Sequence, residues 1–266
     1  MTRSKTDRYG NIAAFCVVIL FNYLANSIPL GGRTTGEVSG AYFSMFTPAG
    51  YTFAIWGVIY LLLLGFVVRQ SLGAEADRAS LSAISALFKV NCAANAFWLL
   101  AWHFEQLLLS MVFMVVILAT LVRIYSILKA DSSMRSGWDF VFLILPFGVY
   151  LGWISVATIA NISILQSAYQ ANDFLISQEA WTILKLAVAG AAMLYFARKY
   201  SSVEYVIVIA WAALGVAIAN GNRPVIEVSS LVLAVVALFL GLGLLIRRIL
   251  LQRRQSLPAD RAAETA

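Results

Sequence analysis

The chain has 266 residues, of which 61% are hydrophobic and only 12% charged, with a net charge of +6 and a mean hydropathy of +0.84. A soluble domain carries about a quarter charged residues, so this composition excludes an ordinary water-soluble enzyme or binding module. The apolar runs are continuous rather than alternating, which predicts helices and not a barrel. The expected fold class is all-α, a polytopic integral membrane helical bundle of about eight transmembrane helices, each of roughly 20 residues.

The first span is expected at Ile12–Leu30, after Arg3, Lys5 and Arg8. Basic residues before an apolar run also fit a signal peptide, with Ala25-Asn26-Ser27 as the cleavage site. The run is long for that and carries Asn22, which favours a retained span. Asn22 and Asn26 lie one turn apart. The linker from Gly31 to Gly50 is rich in glycine and hydroxyls, and suits a lid over an outward-facing cavity. In the second span, Tyr51–Val68, residues Phe53, Trp56 and Tyr60 share one helix face. The third, Leu81–Trp102, carries Asn91, Asn95, Trp98 and Trp102 as one stripe. His103 and Glu105 fall at the tip of the hairpin leading to the fourth span, Leu107–Leu128. A lone histidine can ligate a tetrapyrrole metal, but at a loop tip it is expected to be solvent-exposed. The fifth span, Phe140–Leu165, aligns Pro146, Tyr150, Trp153, Ala157 and Asn161. Three more spans are expected at Ala180–Ala197, Val203–Ala219 and Val228–Ile246, then a basic tail.

Charge sets the orientation. Of the lysines and arginines, fifteen fall in alternate segments on one side and only Arg33 and Arg223 on the other. Positive residues stay cytoplasmic, so both termini and the loops near Asp77, Ser132 and Tyr200 are expected inside. The basic residues are thus topology signals and call for no nucleic acid. Lys89 and Lys185 lie within spans near their ends and are expected to snorkel. Cys16 and Cys92 both fall in spans and read as small apolar core residues, with no disulfide or zinc spacing. No HExxH, CxxC, GxSxG or phosphate-loop motif occurs. Asp139 and Glu227 sit at span ends and the other carboxylates are assigned to loops, which disfavours an ion-coupled pump.

The orientation places Asn22, Asn26, Phe53, Trp56, Asn95 and Trp98 in the outer half of the bilayer, with Trp153 near its middle. Interfacial aromatic belts account for Tyr51, Trp102, Trp138, Trp181 and Tyr205. Asparagines in spans also serve as interhelical glue, worth about 1 kcal/mol, and that reading is favoured for Asn22 and Asn26. Trp153 fits the belt worst.

These stripes resemble the tryptophan-rich sensory protein family (TspO/MBR, the translocator protein or peripheral benzodiazepine receptor family). That family's second helix carries W-x-F-x-x-x-W-x-x-x-Y, and the stretch Phe46–Tyr60 is similar. Tyr51 stands for the first Trp, and Phe53 to Trp56 is one residue shorter, which on α-helical geometry turns one aromatic by about 100°. The family's N-x-x-W is matched by Asn95 and Trp98, and its Trp, Ala and Asn of the fifth helix by Trp153, Ala157 and Asn161. The resemblance implies residues 1–166 as a five-helix membrane domain with a pocket capped by the loop after the first helix. Residues 167–266 are then three additional helices and a basic cytoplasmic tail. It further implies a cell-membrane receptor or carrier binding flat hydrophobic ligands such as porphyrins, for sensing or transport. The ligand-binding residues would be Phe53, Trp56, Tyr60, Asn95, Trp98, Tyr150, Trp153 and Asn161. Alternatives are a transporter of another small lipophilic compound and a membrane enzyme modifying a bound tetrapyrrole. No cofactor is required, a tetrapyrrole being ligand; the partners are the bilayer, the ligand and a candidate homodimer mate.

Overall fold

The computed structural model describes residues 4–28, 30–72, 78–134 and 136–255, without the side chains of Asn26 and residues 252–255. The expectations for the Asn26 side chain, the loop at Asp77, Arg135 and the end of the tail lie outside the described residues. All regular structure described is helical: α1 Lys5–Ser27, α2 Thr35–Ala41, α3 Ile55–Arg69, α4 Ala79–His103, α5 Leu107–Ala130, α6 Gly137–Asp139, α7 Leu145–Ala168, α8 Gln178–Tyr200, α9 Val203–Ala219 and α10 Pro224–Gln255. Short 3₁₀ turns cover Leu30–Gly32 and Gly50–Ala54, and a π turn covers Phe140–Ile144. Among the described residues, seven helical segments are long and apolar enough to cross a membrane, and α9 is a shorter apolar helix. At 1.5 Å per residue α9 is only about 25 Å long. It is also the most enclosed, with Val206, Ile209, Ala212, Ala213 and Val216 all buried.

Local sequence explains the boundaries. Thr34 caps α2 while the Glu37 carboxylate takes the Thr34 N–H at 2.7 Å, a reciprocal capping box. The π turn precedes Pro146, whose missing N–H prevents a regular helix from running through. Ser177 caps α8 through Ala180 N at 3.2 Å.

Packing follows a chain of neighbours. The first helix lies on α4 and α3, α4 on α5, and α5 and α3 on α7; α9 then joins α7 to α8 and α10. The α7–α9 contact depends on Gly148 and Gly152, a small-xxx-small pair that lets two helix backbones approach. A Cβ at Gly152 would lie 2.9 Å from Val208 Cβ, and one at Gly148 would collide with Glu204. Polar ties hold the other contacts. Arg78 grips Asp139 through two bonds of 2.9 and 3.2 Å. Lys89 reaches across to α1, where its ammonium pairs with Asp7 at 2.9 Å.

Four expectations are corrected here. Cys16 is exposed on the flank of α1 rather than in the core. Tyr205 is fully buried and stacks on Phe196 with ring centroids 4.4 Å apart. It belongs to the core between α8 and α9, not to an interfacial belt. Glu204 is no loop carboxylate: it lies in the first turn of α9, buried, and accepts from the Tyr125 hydroxyl. His103 is 2% exposed, because the linker folds back over it: Thr35 Oγ1 lies 3.1 Å from Nε2 and the Leu30 carbonyl 3.0 Å from Nδ1. With both ring nitrogens engaged, neither is open to a metal.

Candidate functional site

The aromatic stripes of α3, α4 and α7 converge. Trp56 is the hub: it stacks on Tyr60 at 5.6 Å and on Trp98 at 6.0 Å, and meets Tyr150 and Trp153 edge-on at 5.9 and 6.3 Å. The run continues from Trp98 to Trp102, stacked at 5.7 Å. Phe53 closes the cluster against Trp153, edge-on at 5.8 Å. The shorter Phe53–Trp56 spacing has a structural answer. Phe53 lies in the 3₁₀ turn that leads into α3. Residues three apart eclipse in a 3₁₀ helix, so both rings reach the cluster, where an α-helix from Gly50 onward would have turned one aside.

An enclosed cavity lies among Phe53, Trp56, Trp98, Trp102, Trp153 and Asn161, roofed by Thr35 and Ser39 of α2. Its volume is about 30 Å³, close to the share of one water molecule in the liquid. The Gly31–Gly50 linker thus does cover the cavity, and its short helix presents buried Thr35, Val38 and Ser39 inward. Trp102, assigned to the belt by its position at a span end, is 3% exposed and lines this cavity. Its Nε1 donates to the Thr35 carbonyl at 3.1 Å.

The sequence-derived residues divide into two groups. Phe53, Trp56, Trp98, Trp153 and Asn161 line the cavity; Tyr60, Asn95 and Tyr150 do not. Asn95 donates to Tyr150 Oη at 2.8 Å and accepts from Asn22 at 3.2 Å. It is an interhelical tie joining α1, α4 and α7, so the glue reading of Asn22 extends to Asn95. Tyr60 instead borders a larger apolar groove, about 980 Å³, between α1 and α3. That groove lies open on the flank of the bundle. The smaller cavity carries the aromatic and amide residues. Asn161 is shared between roles, since its amide exchanges bonds with Ser110 at 3.2 and 3.4 Å.

The indole N–H groups of Trp98 and Trp153 are buried and have no hydrogen-bond partner among the described residues. Leaving such a donor unsatisfied costs about 1–3 kcal/mol, and both rings are among those that line the cavity. No described group of three or more His, Cys, Asp or Glu could hold a metal ion.

Sequence reasoning missed Trp102, Thr35, Ser39 and the contact of the linker with α9. The capping box Thr34-x-x-Glu37 was a readable sign of α2, and Gly148-x-x-x-Gly152 of the α7–α9 contact. Nothing in the sequence signalled that the Ala49 N–H bonds the Gly215 carbonyl at 3.0 Å, Trp211 Nε1 the Thr52 carbonyl at 3.2 Å, and Asn220 the Met45 carbonyl at 2.8 Å.

Neither the curated proteins nor the solved structures yield a match to this chain. A protein-family model described as TSPO-like protein matches residues 8–243, running through the five spans that carry the aromatic and amide stripes and on through most of α10. That match covers most of the chain, and the protein belongs to the TSPO-like protein family.

Proposed function

We propose that this membrane protein is a receptor or carrier for a flat hydrophobic ligand with acceptor atoms at its edge, porphyrins being one such class. The observation that carries this reading is the pair of unpartnered indole N–H groups on rings that enclose one cavity. Aromatic faces hold a planar ligand by stacking, and a few polar groups orient its edge. The cavity of about 30 Å³ describes a closed state, because ligand pockets usually measure about 300–1,000 Å³. Binding therefore requires α2 to lift or Trp56 and Phe53 to turn aside. The test compares Trp56→Leu and Trp153→Phe with Trp138→Phe, which is exposed and outside the cluster, in fluorescence titrations with protoporphyrin. Loss of a stacking face should weaken binding about fivefold in the first two and leave the third unchanged. Equal affinities in all three would refute the site.

The same reading puts the protein in the cell membrane with both termini cytoplasmic, on the strength of the lysine and arginine asymmetry. In a background without Cys16 and Cys92, an impermeant thiol reagent applied to intact cells should label Gly36→Cys and spare Ser132→Cys. Labelling of the second alone would invert the topology.

A further inference from the structure

At the end of the bundle opposite α2, a cleft of about 360 Å³ opens between the last turn of α5, the π turn before α7, and α10. Three cations line it: Lys129, Arg247 and Arg248. No salt bridge joins any of them to a carboxylate among the described residues. Glu204 is near enough to attract Lys129 electrostatically, but its carboxylate accepts from the Tyr125 hydroxyl and forms no salt bridge with the lysine. Arg248 is held in place by Phe140, its guanidinium carbon 3.8 Å from the ring centroid. Stacking on a ring occupies the flat face of a guanidinium and leaves its edge N–H groups free to donate. Ser136 and Ser201 add hydroxyls, while Met134, Ile144, Leu244 and Leu251 supply an apolar wall.

We propose that this cleft binds a phosphate-bearing anion, held in the membrane as the headgroup of an acidic phospholipid. The distribution of chemistry matches such a molecule. Fixed cations and hydroxyls would take the phosphate, and the apolar wall continues along α10, which at 32 residues is about 48 Å long and exceeds the hydrocarbon thickness. Its last turns, with Arg247 and Arg248, therefore stand at headgroup level, where Leu250 and Leu251 are half-exposed. Basic clefts between transmembrane helices bind acidic headgroups by this combination. The site is separate from the aromatic cavity and does not depend on what that cavity binds.

The test uses the full chain in nanodiscs of phosphatidylcholine, alone or mixed with phosphatidylglycerol, and native mass spectrometry of the lipid it retains. Arg247→Gln/Arg248→Gln is compared with Arg198→Gln/Lys199→Gln, which removes the same charge at the same end from exposed residues outside the cleft. A cation in direct contact with the bound headgroup contributes about fivefold to its retention, so the cleft variant should retain phosphatidylglycerol about twenty-five-fold more weakly. The control should stay near wild type. In a second arm, inorganic phosphate is titrated into detergent-solubilised protein and thermal unfolding is followed. Phosphate that stabilises the wild type and not the cleft variant, with no selective lipid retention, would support the same anion site but identify its ligand as soluble. Equal losses in the two double variants, or no difference from wild type with either probe, would overturn the proposal.

Discussion

The interior of the first five spanning helices and the interior around α9 are built from different residues. Between α3, α4 and α7 the buried volume is aromatic and amide: Trp98, Tyr150 and Trp153 with Asn95 and Asn161. Along α9 beyond its first turn it is small and aliphatic, with Val208, Ala210, Ala212 and Ala213 buried, Val208 close against Gly152 of α7 and Gly215 close against Pro48 and Thr52. Large rings pack less completely: they leave a small cavity, and the indole N–H groups of Trp98 and Trp153 find no partner among the described residues. Small residues let backbones close together and leave almost nothing, a void of about 10 Å³ beside α9. On the proposed reading the first interior takes a ligand, while the second holds a shape. They meet at the linker before α3, which hydrogen-bonds the cavity side through Thr35 and the α9 side through Ala49, Thr52 and Met45. α9, itself packed on α8 and α10, thereby braces the segment that roofs and enters the cavity.

The sharpest way to break this division is to overfill the brace. Gly152→Leu should destabilise the protein by about 1–3 kcal/mol or more, because its first carbon already presses on Val208. Gly57→Leu, on a helix face with open space, should be nearly neutral. Thermal unfolding in detergent measures both. If the two behave alike, the close α7–α9 approach does not hold the bundle together.

A smaller effect distinguishes ties from ligand contacts. Asn95→Ala removes bonds to Tyr150 and Asn22 and should cost roughly 1–2 kcal/mol of stability, with affinity for the probe ligand following only in proportion. Trp211→Phe removes the bond to Thr52 at the brace and should cost about 1 kcal/mol. If the linker carries the brace's influence to the cavity, that variant also weakens ligand binding although Trp211 lies outside the cavity lining. Unchanged binding would separate the two interiors altogether.

The smallest effect is electrostatic and serves as a baseline. Burial pushes the Asp131 carboxyl up, but hydrogen bonds from Ser133 and Ser80 outweigh it and hold the group below the ordinary carboxylate range. A depressed folded-state value stabilises the fold above the unfolded value, about pH 3.9 for aspartate, and that gain disappears as pH falls through the folded value. Ser80→Ala should therefore lower the unfolding temperature slightly at neutral pH and not at pH about 2. A loss of the same size at both pH values would assign the effect to packing.

Much of this architecture was determined by the sequence alone. A transmembrane helix must satisfy its own backbone and clothe itself in apolar residues, so length and hydropathy announce each span. The span proposed at Val203–Ala219 coincides with α9. Helical periodicity likewise assembles Phe53, Trp56, Trp98 and Trp153 from separate helices, because stripes of like residues on neighbouring helices tend to face one another. What only the tertiary structure decided is which polar and aromatic residues at the span ends are wet and which are buried. Trp102, His103, Glu204 and Tyr205 all lie at or near helix termini, where position along the chain predicts an interface. Burial there depends on what folds over the end: the α2 linker covers Trp102 and His103, and α5, α7 and α8 enclose Glu204 and Tyr205. Those contacts join residues far apart in the chain, and no local pattern records them.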